Sequence, residues 1–154
     1  MRIKNKYKLL LLALIAPFGV HAQYLVNNGA YITVPVGTEL VISGNLVNLN
    51  TGGQDIIANA GAIRLTGNLS NEGTFNGSGT THFDGTIAQE IGGAGATTFG
   101  TLVIDNLAGV SLEQNITLNT ALTFTRGVID LNAHSLALGS AASIGGTPGA
   151  ANHI

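Results

Sequence analysis

The sequence predicts an all-β protein, and three of its features support this prediction. Short segments in which apolar and polar residues alternate recur along the chain, as they do in half-buried strands. Glycine, which occurs 22 times, separates these segments together with small polar residues. One nine-residue segment also recurs 23 residues later, which is typical of a repeated structural unit. The predicted architecture is a right-handed parallel β-helix with coils of about 18–24 residues. An antiparallel β-sandwich is the alternative, because its strands also come at regular intervals.

The first 22 residues have the composition of a secretory signal peptide. A basic segment comes first, with Arg2, Lys4, Lys6 and Lys8. An apolar run of 12 residues, Leu9 to Val20, follows it, which is shorter than the roughly 20 residues that a transmembrane helix needs. Cleavage is expected after Ala22. We therefore predict export through the inner membrane, to the outer cell surface or the extracellular space, with no membrane insertion after cleavage.

Removal of this segment makes the chain acidic. Four of the six basic residues lie in it, which leaves Arg64 and Arg126 against eight acids and a formal charge of −6. Two scattered arginines do not form the basic patch that binds nucleic acid or an anionic membrane, so neither partner is expected. The chain has no cysteine, although many small exported domains depend on disulfides. Regular backbone ladders with stacked aliphatic side chains are an alternative source of stability.

Residues 23–39 are expected to form a lead-in and an N-terminal capping strand. Within them, residues 30–36 alternate with a period of two, and Pro35 indicates an edge or first strand. Residues 40–154 are expected to form the coils, and the strongest evidence is the match between residues 40–48 and residues 63–71. The two copies differ mainly where a side chain should face water, since Val41 corresponds to Arg64.

This match predicts which residues stack in the core and which form the turns. The expected core stack consists of Leu40, Ile42, Leu46, Ile63, Leu65, Leu69, Leu102, Ile104, Leu122 and Phe124. The expected turn and ladder residues are Gly44, Asn45, Asn48, Gly67, Asn68 and Asn71. Asparagine amides stacked in this way would satisfy backbone groups in the turns of successive coils.

The later coils follow the same pattern less faithfully. Strands are expected at 81–83, 86–88 and 102–104, with turns at glycine-rich positions between them. Residues 141–154 begin another coil, and none of them resembles the polar cap that an open solenoid end requires. We therefore expect the chain to be the N-terminal portion of a longer protein, or a partner to cover this end.

Several of these segments carry a family resemblance. They are Phe83–Thr86, Gln89–Gly93, Thr98–Asn106, Gly109–Leu112, Leu122–Ile129 and Leu136–Gly139. Together they resemble a repeat of the adhesin-like, parallel β-helix surface proteins that Gram-negative, often gliding, bacteria export by type IX secretion. The resemblance covers most of the chain from about Leu40 onward, and only an N-terminal portion of such a protein. It implies the architecture and a surface location, and it carries over no catalytic residue.

The residues themselves give little indication of catalysis. Asp84, Asp105 and Asp130 are 21 and 25 residues apart, so stacked coils could bring them into one column, although each also suits a turn. No lysine follows residue 8, and His82, His134 and His153 lack metal-ligand spacing. We expect no enzyme activity, no cofactor and no metal site.

The sequence therefore predicts a non-catalytic, exported repeat protein that acts as a structural stalk or adhesin-like binding segment. Its expected partners are carbohydrate or protein at the cell surface, and either a C-terminal continuation of the same protein or a capping partner. An exported carbohydrate-active enzyme, a lyase or hydrolase, is the alternative function. A third possibility is a fragment without an independent function.

Overall fold

The computed structural model describes residues 20–146 and 153–154, and within them every regular element is a β-strand. In chain order, the strands are β1 (Val20–Ala22), β2 (Leu25–Asn27), β3 (Tyr31–Val34), β4 (Glu39–Ile42), β5 (Leu46–Asn48), β6 (Ile56–Asn59), β7 (Ala62–Leu65), β8 (Leu69–Asn71), β9 (Thr74–Gly77), β10 (Thr80–Phe83), β11 (Gln89–Gly92), β12 (Ala96–Leu112), β13 (Ile116–Asp130), β14 (Leu136–Leu138) and β15 (Ser143–Gly146). The predicted signal peptide falls mostly on residues 1–19, which lie outside the described residues.

The chain winds as a parallel β-solenoid of about six turns, and each turn adds one strand to each of three ladders. Sheet 1 contains β1, β4, β7, β10, residues 101–104 and 121–124 of the two long strands, and β15. Sheet 2 contains β2, β5, β8, β11 and residues 110–112 and 129–130. Sheet 3 contains β3, β6, β9, residues 96–99 and 116–118, and β14. Strands β12 and β13 turn the corners without a break and therefore join the three ladders.

This architecture confirms the predicted β-solenoid. Every strand pairing among the described residues is parallel, which excludes the antiparallel sandwich. Leu46 is the register partner of Leu69, at the 23-residue spacing of the sequence match. Other partners are as near in sequence as Ile56 and Thr74, or as far apart as Tyr31 and Ile56. The corners differ in length, so the repeat is regular in space but irregular in sequence.

One continuous core lies between the three ladders. Alternating residues of each strand point into it, as in the buried, half-buried, buried pattern of Leu46, Val47 and Asn48. Twenty hydrophobic side chains form this core, and those of the inner strands stack on their register partners in neighbouring turns, as Leu102 does between Thr81 and Leu122. Phe75 and Phe99 also pack against each other, with ring centroids 5.1 Å apart. Full burial of a side chain of this kind contributes about 1.5–3 kcal/mol.

Two local expectations are corrected. Residues 86–88 form a bend instead of a strand, because this corner is held by side chains and not by a ladder. Asn106 Nδ2 donates to the carbonyl oxygen of Ile87 at 2.6 Å, and the amide of Gln89 accepts from Gly85 N at 2.8 Å. Residues 23–39, where we expected a lead-in and a capping strand, contain β2 and β3, which already pair in sheets 2 and 3.

Candidate functional site

The asparagines of the sequence repeat form a buried side-chain ladder at the corner between sheets 2 and 3. Asn48 Nδ2 donates to Asn71 Oδ1 at 2.7 Å, and Asn48 Oδ1 accepts from Asn27 Nδ2 at 2.8 Å. Asn71 Nδ2 continues the ladder to the hydroxyl of Thr97 at 2.8 Å, and Gln114 reaches the same hydroxyl at 3.1 Å. The ladder therefore spans five turns. Repetition predicted two of its members, and the other three differ in residue type or lie outside the matched segment.

The second predicted pair, Asn45 and Asn68, lies in register but bonds differently. Asn45 Oδ1 accepts a hydrogen bond from the backbone N–H of Asn68 at 2.8 Å, and Asn68 Oδ1 accepts one from Glu90 N at 3.0 Å. Gly67 stacks directly on Gly44, since a Cβ atom at Gly67 would lie 2.4 Å from the carbonyl carbon of Gly44. These four positions therefore fix the spacing of successive turns and offer no free cavity for a ligand.

The ten predicted core residues all lie on the inner side of the sheets. Nine of them are buried, and Leu40 is half-buried at the first turn, where it packs against the core. In sheet 1 the register runs without a gap from Leu40 through Ile63, Thr81, Leu102 and Leu122 to Ile144. Threonine interrupts this aliphatic column once, and the Asn59 amide donates to its hydroxyl at 3.3 Å.

The outer side of sheet 1 carries the most chemically varied group of side chains, here named the charged row. It consists of Glu39, Arg64, His82, Asp84, Asp105 and Arg126. Arg64 Nε lies 3.3 Å from Glu39 Oε1, and Arg64 Nη1 lies 2.6 Å from Asp84 Oδ2. Farther along the sheet, Arg126 forms an ion pair with Asp105. Both arginines beyond the predicted signal peptide therefore lie on this one face.

His82 lies beside Arg64, because the two are register partners in neighbouring strands. Burial lowers the pKa of His82 below its ordinary value, and the positive charge of Arg64 lowers it further. The hydrogen bond to Asp84 raises the pKa of Arg64, so its guanidinium group stays charged. The second oxygen of Asp84, Oδ1, is buried and has no hydrogen-bond partner. This part of the row combines a fixed cation, a histidine biased toward its neutral form and a carboxylate oxygen with spare acceptor capacity.

The three aspartates considered as a catalytic column do not share one face. Asp84 and Asp105 follow the register partners Phe83 and Ile104 on sheet 1, whereas Asp130 lies on sheet 2 as the partner of Ser111. Each of the first two is paired with an arginine.

No group of three or more acidic or histidine side chains within residues 20–146 and 153–154 is arranged to hold a metal ion. The described part of the chain also contains no helix that could cross a membrane.

Asp55 is a buried acid that the sequence analysis did not single out. It is 2% exposed, and its carboxylate accepts hydrogen bonds from the backbone N–H groups of Gly29, Thr51 and Gly53. The bond from Thr51 lowers the pKa of Asp55 the most; burial raises it by less than the backbone bonds together lower it. Asp55 also has a φ of 45°, a left-handed conformation that Asp tolerates better than most residues. It therefore closes the longest corner of the solenoid, and the Thr-Gly-Gly sequence before it is the only signal of that role.

Comparisons with known proteins found no matching family model, no similar curated protein and no similar solved structure. Function is therefore inferred from the fold and from the surface side chains of the solenoid.

Proposed function

We propose that this protein is exported and acts outside the cell, without catalysing a reaction, as a structural stalk or adhesin-like binding segment. The observation that carries the proposal is the parallel ladder, which runs through about six turns over one continuous core. Each inner turn is held by backbone hydrogen bonds to both neighbours, so the outward side chains can vary without disturbing the scaffold. Such a scaffold suits a protein that acts as a spacer or that displays a binding surface.

The resemblance to adhesin-like repeat proteins supports the same proposal. On this basis the native location is the outer cell surface or the medium, and type IX secretion is the proposed route. The proposed neighbour at the C-terminal end is a continuation of the same protein or a capping partner, because Leu138 and Ile144 are 46% and 50% exposed there.

The charged row is the proposed contact surface for carbohydrate or protein. Its carboxylates and guanidinium groups are strong hydrogen-bond partners for hydroxyl and amide groups. Arg64 is held in place on this face by two acids, Glu39 and Asp84. By contrast, the outer face of sheet 3 carries small uncharged residues such as Thr98 and Thr117. Substitutions in the charged row therefore test the proposal, and substitutions on the outer face of sheet 3 serve as the control.

Binding can be tested with labelled protein of residues 23–154 on arrays of polysaccharides and surface glycans. We expect Arg64→Gln and Asp84→Asn to weaken binding to a captured ligand by about tenfold or more, the loss of roughly one charged hydrogen bond. Thr117→Ala on sheet 3 should leave binding unchanged. Equal effects of all three substitutions would contradict the assignment of this surface.

Export is tested separately on the natural protein. Its intact mass and N-terminal residue should be measured in culture medium and in the cell envelope. A chain that begins at Gln23 and is found in either fraction supports the proposed export. A mass above that of residues 23–154 would show that the polypeptide continues, and a chain retained in the cytoplasm with Met1 intact would overturn the proposal.

An exported carbohydrate-active enzyme, a lyase or hydrolase, is the second candidate on the same scaffold. The observation that favours it is the unpartnered Asp84 oxygen beside the half-buried His82. Purified protein should be incubated with acidic and neutral polysaccharides, with new reducing ends and unsaturated products as the readout. Turnover that disappears in Asp84→Asn and His82→Gln while binding persists would establish the enzyme in place of the scaffold.

A further inference from the structure

Strand β1 belongs to the predicted signal peptide, yet it is hydrogen-bonded into the solenoid. Its three residues pair in parallel with Leu40–Ile42 of β4 and form the first strand of sheet 1. Cleavage after Ala22 would remove this strand and leave the backbone of Leu40–Ile42 unpaired at the sheet edge. An unpaired edge of this kind is a template for an incoming strand.

The order of strands suggests which strand could replace β1. After cleavage, the chain begins with β2 in sheet 2 and then enters sheets 3 and 1 in turn. At the other end, β14 lies in sheet 3 and β15 in sheet 1. If a second copy is placed end to end, β15 of one copy therefore immediately precedes β2 of the next in the winding order.

The core columns also match across such a contact. Ile144 and Leu40 are the two ends of one column in sheet 1, and Leu136 and Ile32 are the two ends of one in sheet 3. End-to-end stacking would place each of these aliphatic side chains over another. Both columns would continue into the second copy without a change of register or of side-chain type.

Exposed hydrophobic side chains are concentrated at the two ends of the described solenoid. Nine large ones are exposed among the described residues, and only Ile87 and Leu107 lie in the middle turns. The others lie in the first turn or at the C-terminal end: Tyr24, Val26, Tyr31, Val36, Leu138, Ile144 and Ile154. Leu138 and Ile144 stack on the core residues Leu118 and Leu122, so end-to-end association would bury these two side chains.

We propose that removal of the signal peptide opens a self-association site, in which the Leu40–Ile42 edge of one copy accepts strand Ser143–Gly146 of a second copy. The inference rests on the proposed export, which supplies the cleavage, and takes a second copy as the proposed capping partner of the C-terminal end. The contact joins two different surfaces, so it leaves both outer ends of the pair free and can repeat in one direction. Ile129 N donates to the carbonyl oxygen of His153 at 3.1 Å on sheet 2. His153 therefore occupies the edge that β2 of the second copy would pair with, and it must shift when that copy binds.

The test compares two proteins that differ only in β1. One comprises residues 23–154, and the other comprises residues 20–154 and therefore keeps the blocking strand. Sedimentation velocity over a range of concentrations should show the mass of the shorter protein rising in steps of one protomer. The longer protein should associate about tenfold more weakly or remain a monomer. A monomeric shorter protein, or equal association of the two, would overturn the proposal.

A second pair of variants of residues 23–154 tests the contact surface. Ile144→Asp places a charge at the exposed end of the sheet 1 column and should abolish association. Ile87→Asp changes an even more exposed isoleucine in the middle of the solenoid and should have no effect. Circular dichroism verifies that both variants remain folded. Association that survives Ile144→Asp would refute the site, whereas failure of the proposed export would appear only in the N-terminal residue of the natural protein.

Discussion

At the scale of single residues, the amide of Asn48 links consecutive turns in the dry interior. It accepts from Asn27, donates to Asn71, and also donates to the carbonyl oxygen of Asp55 at 2.9 Å. An amide can do this because it carries both an acceptor and two donors in one plane. A hydroxyl such as that of Thr97 in the same ladder carries a single donor, so an amide suits a position that donates to two acceptors and accepts from a third group.

Replacement of Asn48 by alanine should therefore be costly. It leaves the buried oxygen of Asn71 without a donor, and each buried polar group left unpaired costs about 1–3 kcal/mol. We expect Asn48→Ala to lower the free energy of unfolding by about 2–4 kcal/mol, including the space left behind. Urea denaturation measures this value. Asn50→Ala, at an exposed position two residues later, is the matched control and should change the free energy by less than about 0.5 kcal/mol.

Two neighbouring glycines of the solenoid should respond to alanine in opposite ways. A Cβ atom at Gly77 would lie 3.4 Å from its nearest neighbours, and its φ is not in the left-handed region. Gly77→Ala should thus raise the free energy of unfolding by about 0.4–1 kcal/mol. At Gly79 the same atom would lie 2.1 Å from the carbonyl oxygen of Gly61. Gly79→Ala should therefore be strongly destabilising, and a thermal melt that ranks the two variants alike would contradict this account.

At the scale of elements, the corners decide how much of the structure the sequence predicts. The 23-residue match identified Leu46 over Leu69 because strand and corner are the same length in both copies. The expected strand at residues 86–88 was wrong because the side chains of Gln89 and Asn106, which have no equivalent in that match, bond to the backbone of Gly85 and Ile87. Side-chain hydrogen bonds can hold a corner in place of backbone pairing, and they leave no periodic pattern in the sequence.

The charged row was not predicted for a related reason. Arg64 and Asp84 meet only because one turn is 18 residues long and the acid lies just past the end of its strand. In sequence terms, Asp84 before Gly85 is an ordinary turn signal. The length of each corner sets which outer side chains become neighbours, and a single sequence does not specify that length.

The corner at residues 49–55 gives a prediction on pH. The folded-state pKa of Asp55 is lowered, so its contribution to stability is complete above the ordinary carboxyl pKa and is lost as the pH falls through the lowered value. Asp55→Asn keeps the shape but turns one acceptor into a donor that faces backbone N–H groups. We expect this variant to be less stable at pH 7 and to lose less stability on acidification.

Urea midpoints measured between neutral pH and about pH 2.5 test this expectation, since the range spans the ordinary carboxyl pKa. Glu113→Gln is the control, because this acid is exposed just after the end of β12. The urea midpoint of this variant should depend on pH in the same way as that of the unsubstituted protein. If the urea midpoint of Asp55→Asn falls as steeply on acidification as that of the unsubstituted protein, the Asp55 carboxylate does not accept these backbone hydrogen bonds in the folded state.

At the scale of the whole molecule, stability is distributed along one dimension. Each turn contacts only its neighbours, so an inner strand has two ladder partners and a terminal strand has one. Leu102 in the middle of sheet 1 is fully buried, whereas the side chains of β15 are all exposed. Local opening should therefore begin at the ends and require more free energy toward the centre.

Hydrogen exchange detected by mass spectrometry on residues 23–154 at low concentration tests this gradient. We expect amides of β14 and β15 to exchange about 100-fold faster than those of β7 and β10, which corresponds to an opening free energy about 2.8 kcal/mol lower. Ile144→Asp should speed exchange only at the C-terminal end. Leu102→Ala, which empties part of the central core, should speed exchange in the central turns, whose opening breaks the contacts of this side chain. If protection is uniform along the chain, or if both substitutions act alike, the molecule unfolds as one unit and its turns are not separable.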